Sequence, residues 1–123
     1  MNLFLSVAAV FSLAICLIHL IIGGREIIRP LLANTDLPRI SKWTLYMCWH
    51  FVTITLAGMA IAYLVSALPG GERTPAVFAT AAAAIYALTN IGMNIALGLR
   101  HVRHPQWMLF APLAGLGAAG LWM

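Results

Sequence analysis

Acidic side chains are nearly missing from this sequence. Glu26, Asp36 and Glu72 are the only 3 among 123 residues, and all lie in short polar stretches between apolar runs. That scarcity argues against a carboxylate-rich di-iron centre and against a proton-coupled transporter built on an intramembrane Asp or Glu. Charge of either sign is sparse, 8% of residues against about a quarter in a soluble domain. A water-facing surface cannot be assembled from so few charges. Cysteine is limited to Cys16 and Cys48, both inside apolar runs and without CxxC or metal-finger spacing, which argues against a disulfide framework. A basic leader region and a small-x-small cleavage site are also missing near the start, so the first apolar run reads as a permanent span rather than a signal peptide.

What remains is apolar: 63% of residues are hydrophobic and the mean hydropathy is +0.95. Crossing the hydrocarbon of a bilayer takes about 20 such residues in a helix. The sequence predicts an all-α integral membrane protein, a single domain of four transmembrane helices in an antiparallel bundle, with spans over about 3–22, 43–68, 76–99 and 107–123. Between the first two spans, Gly23 and Gly24 weaken the helix and Pro30 limits its continuation. The Ile and Leu content of residues 26–32 then suggests a short interfacial segment. Asn34, Thr35 and Asp36 are turn chemistry, with Asp36 placed to cap the next helix and Pro38 in its first turn. The turn over 69–75 is short enough to make spans two and three antiparallel neighbours. In the last span, Ala111, Gly115 and Ala119 form a small-residue row suited to close helix approach.

The net charge of +4 and pI near 9.7 come from 7 Lys and Arg placed between apolar runs. Basic loops beside a bilayer account for them more simply than a nucleic-acid partner. Arg25, Arg29, Arg39 and Lys42 follow span one, and Arg100 and Arg103 follow span three, whereas the middle turn has Arg73 offset by Glu72. The positive-inside rule then puts both termini outside, in a cell membrane crossed several times, with a bacterial inner membrane as the expected location.

Each of the first three spans carries a polar stripe at helical spacing: Ala8, Ser12, Cys16 and His19; Tyr46, His50 and Thr53; Ala87, Asn90, Asn94 and His101. Under this topology, His19, His50, His101 and His104 all fall in the cytoplasmic half. His19 lies roughly 6 Å from the inner end of its span and His50 roughly 10 Å inside its own. Tyr46, His50 and Thr53 are expected to look toward Cys16 and His19 on one side and Asn90 and Asn94 on the other.

Histidines on different helices of a bundle are a common way to hold haem iron or a transition metal. His19 and His50 are the first candidates for such a pair, with Asn94 and Tyr46 beside a cofactor and His101 as a third metal ligand. The plain alternative is that these groups hydrogen-bond one another and hold the bundle together, at about 0.6 kcal/mol each. Arg25, Arg29, Arg39, Lys42, Arg100 and Arg103 form a basic rim suited to an anionic lipid or an acidic partner, although positive-inside bias alone would place them there. The sequence lacks the acidic first-helix residue of small multidrug exporters and the histidine-aspartate-tyrosine patterns of succinate dehydrogenase anchors.

Three functions stand at this point. The first is a non-catalytic subunit or scaffold of a membrane complex, as a homo-oligomer or with other membrane subunits. A haem- or metal-binding redox protein is the second. A lipid or small-molecule carrier is the weakest, because no inverted repeat is evident. Catalysis is neither indicated nor excluded.

Overall fold

The structure is a computed structural model describing residues 1–123, and it is all-helical. Four helices account for it: α1 (Leu3–Ala33), α2 (Arg39–Ala67), α3 (Thr74–Ala96) and α4 (Trp107–Trp122). The first three, of 31, 29 and 23 residues, are long and apolar enough to cross a membrane. Helix α4 has 16 residues, roughly 24 Å of rise, short of the roughly 30 Å of a hydrocarbon core.

Helix α1 departs from expectation. Instead of ending near residue 22, it runs on through a π-helical stretch, His19–Ile28, and resumes α-helical geometry over Arg29–Ala33. The wide register is explicit at its end, where the Arg29 N–H donates to the carbonyl of Gly24, five residues back. Glycine's permissive backbone accommodates this wider turn rather than stopping the helix. Pro30 is tolerated because it falls in the first turn of the resumed α-helical stretch, where its missing N–H costs little. There is accordingly no separate interfacial segment over 26–32.

The start of α2 is a second correction. Asp36 does not cap it; Pro38 occupies the cap position, and Asn34 Oδ1 accepts the N–H groups of Asp36 and Leu37 in an Asx turn. Helix α3 ends three residues short of the expected 99, as Gly98 adopts φ +62°, the left-handed conformation that terminates helices.

Leu5, Leu56, Tyr63 and Leu113 are the large apolar side chains sealed in the core, against the alanine face Ala76, Ala79, Ala83 and Ala87 of α3. Those small side chains let neighbouring helices approach closely. On α4 the close-packed row is Leu113, Gly117 and Gly120, not Ala111, Gly115 and Ala119. Gly117 lies against Tyr63 and Thr80 and Gly120 against Leu5, while Gly115 faces open space.

The two ends of the molecule differ. At the end holding the termini, Asn2 Nδ2 donates to the Gly120 carbonyl (2.7 Å) and the Asn2 N–H to the Ala67 carbonyl (2.9 Å). There too the Ser66 hydroxyl donates to the Glu72 carbonyl (2.6 Å) and accepts the Ala76 N–H (3.2 Å). With the helices pinned together here, the extra length of α1 and α2 emerges at the other, basic end. In that projecting half, α2 has no buried residue before Leu56, and α1 has only Ile28 after Cys16.

Candidate functional site

The polar stripe of α1 is used against the backbone of α2. Ser12 Oγ donates to the Leu56 carbonyl (3.3 Å), Cys16 Sγ to the Thr53 carbonyl (3.8 Å) and His19 Nε2 to the Trp49 carbonyl (3.2 Å). The donors step by four and three residues and the acceptors by three and four, as two antiparallel helices in register require. Thr53 Oγ1 also donates to the Trp49 carbonyl, at 3.2 Å. Serine, cysteine and histidine here do what a small-residue seam does in lipid: they bring two helices close and give polar groups a partner.

A carbonyl only accepts, so Nε2 of His19 carries the proton and, in the neutral ring, Nδ1 keeps its lone pair. The imidazole stacks on the Trp49 indole with centroids 4.6 Å apart and 24° between planes. His50 sits one residue on. Its ring meets Tyr46 edge-on at 4.5 Å and Trp49 edge-on at 5.1 Å, and it is exposed. The rings of Tyr46 and Trp49 are nearly parallel at 6.4 Å, and Trp43 adds an edge contact to Tyr46 at 5.8 Å. His19 and His50 therefore share one aromatic cluster, but the residue facing His19 is Trp49, which the polar stripes of the sequence do not include. Continuing the face of Leu56 and Thr53 back by four residues reaches Trp49, and that register was the available signal.

Asn90 and Asn94 lie elsewhere, on the α3–α4 pair. Asn90 Oδ1 accepts the Trp107 N–H (3.1 Å), serving an amide in the first turn of α4, and its Nδ2 donates to Gln106 Oε1 (2.9 Å). Asn94, fully buried, donates through Nδ2 to the His104 carbonyl (3.0 Å) and contacts His101 Nδ1 (3.3 Å). Its Oδ1 and the Trp107 indole N–H are buried without a partner. The hydrogen bonds of both asparagines thus go to their own hairpin, not to Tyr46, His50 or Thr53, because the loop after α3 folds back and offers them backbone groups.

His101 consequently stands with Asn94 and Trp107, apart from the bonds of His19, and nowhere do three His, Cys, Asp or Glu side chains meet in a group able to hold a metal ion. Arg25, Arg29, Arg39, Arg100 and Arg103 are exposed, and half-buried Lys42 donates through Nζ to the Leu32 carbonyl (3.2 Å), tying the two projecting helix ends together. Between these ends runs an open groove of about 570 Å³, lined largely by apolar side chains such as Ile27, Leu31, Leu45 and Val52, with Glu26 and Asn34 as its polar members. Comparison with protein-family models, characterised proteins and solved structures finds no match to this chain.

Proposed function

We propose that the chain crosses a cell membrane four times, with both termini outside, and serves as a non-catalytic subunit or scaffold of a membrane complex. The observation carrying this reading is the projecting half of α1 and α2, where exposed Ile27, Ile40, Trp43 and Leu45 accompany Arg25, Arg29, Arg39 and Lys42. Counting about 20 residues of rise from the pinned end puts the hydrocarbon boundary near Gly23, Cys48 and Asn94. Beyond it, α1 and α2 extend by roughly another 10–15 Å. Apolar surface at that height calls for a protein neighbour, and its basic rim favours an acidic one.

The inward polar groups support the same reading, since Ser12, Cys16, His19, Asn90 and Asn94 are engaged in bonds between helices and loops. Photo-crosslinking from position 43, compared with position 78 on the lipid-facing side of α3, tests the proposal in intact membranes. Discrete adducts, to a second copy or another subunit, are expected from position 43 and only lipid adducts from position 78. Lipid adducts alone from both positions would sink the scaffold reading.

The redox alternative keeps one observation in its favour: two imidazoles, His19 and His50, contact the same indole. A Soret band or stoichiometric iron, copper or zinc in protein purified in mild detergent, lost on His50→Ala and retained on His104→Ala, would establish it.

A further inference from the structure

Of the polar atoms in the aromatic cluster that make no hydrogen bond within the chain, two flank a single position, Gly23. His19 Nδ1 and the Trp49 indole N–H make no internal hydrogen bond, and neither is sealed away, since the buried unpartnered polar atoms are confined to Asn94 and Trp107. Both border the space in front of Gly23. A methyl carbon there would lie 3.7 Å from Trp49 Nε1 and 4.0 Å from His19 Nδ1, meeting nothing else within 4 Å. The stacked rings thus turn a donor and an acceptor to the same side of the seam, over a position without a side chain. This notch lies in the π-helical stretch, a geometry often found at functional sites.

We infer that the notch binds the un-ionised hydroxyl of a membrane amphiphile, a long-chain alcohol or a hydroquinone. A hydroxyl accepts from the indole N–H and donates to the imidazole lone pair at once. A carboxylate or phosphodiester accepts only and would face that lone pair without a proton to offer. An ether or ester oxygen satisfies the indole alone. The groups flanking the notch therefore select for hydroxyl over the anionic and ester oxygens that surround it in a bilayer. Gly23 also falls at the boundary between hydrocarbon and headgroups, the depth of an amphiphile's head; this depth rests on the membrane placement proposed above, whereas the recognition chemistry does not.

The test uses full-length protein with nitrogen-15-labelled indoles in nanodiscs of phosphatidylcholine and phosphatidylglycerol. The Trp49 indole resonance, assigned by its loss in Trp49→Phe, is followed during titration with n-dodecanol. A saturable shift is expected, with dodecyl methyl ether and dodecanoate weaker by about tenfold, the equivalent of one net hydrogen bond. Gly23→Ala meets only ordinary contacts, so it should fold and yet lose dodecanol binding by a similar factor. Gly58→Ala, whose added methyl touches nothing within 4 Å, should bind as the parent does. Tighter binding of a decyl hydroquinone than of dodecanol would assign the hydroquinone, and equal or weaker binding the alcohol. Equal responses to dodecanol and its methyl ether, or unchanged binding in a folded Gly23→Ala, would overturn the inference. Crosslinking from position 43 reads the scaffold proposal separately.

Discussion

A methyl group added at Gly117 would land on the hydrogen bond between the Tyr63 and Thr80 hydroxyls, which are 3.2 Å apart. Tyr63 is fully buried, so its ring has no room to retreat. Gly117→Ala should destabilise the protein by about 1–3 kcal/mol, the usual cost of overpacking, read as a lower denaturant midpoint in detergent. Gly115→Ala, made into open space, should stay within about 0.5 kcal/mol of the parent. The small-residue pattern alone puts the close-packed row at Gly115. Its error has a simple origin: α4 is apolar on every side, and periodicity cannot choose a face where no polar face exists. On α3 the choice was available, because Asn90 and Asn94 mark the same side as Ala83 and Ala87, and that is the side the structure turns toward its neighbours.

At the level of elements, the seam between α1 and α2 and the loop between α3 and α4 make separate predictions. Ser12→Ala should cost about 0.6 kcal/mol, an average bond between membrane helices. His19→Ala should cost more, about 1–2 kcal/mol, since it removes the stacking on Trp49 together with the bond. Asn94→Leu leaves the His104 carbonyl without its donor; hydrogen exchange should then quicken over residues 99–107 while the amides of α1 keep their protection. The three long apolar helices were legible from length and composition alone. The persistence of α1 past Gly23 and Gly24 was not, because it depends on a π-helical register for which neither hydropathy nor propensity carries a signal. The partners of the polar stripes were not legible. Hydroxyls and amides on adjacent helices satisfied nearby backbone groups instead of reaching the stripe on another helix.

For the molecule as a whole, the placement of charge makes the orientation testable. A reporter active only in the cytoplasm should be silent when fused after Met123 and active when inserted between residues 34 and 37; the opposite result would invert the topology and put the basic end outside.

The distribution of hydrogen bonds has a mechanical consequence. Ser12, Cys16 and His19 bind α1 to α2, and Asn90 binds α3 to α4, so each hairpin is wired within itself. Side-chain bonds between the two hairpins occur only near the termini, through Asn2 to Gly120, Tyr63 to Thr80 and Ser66 to Glu72 and Ala76. The molecule is built as forceps: two stiff arms with a rivet at one end. Any ligand or neighbour that wedges between the tips does so against side-chain packing alone, and the rivet sets where the arms pivot.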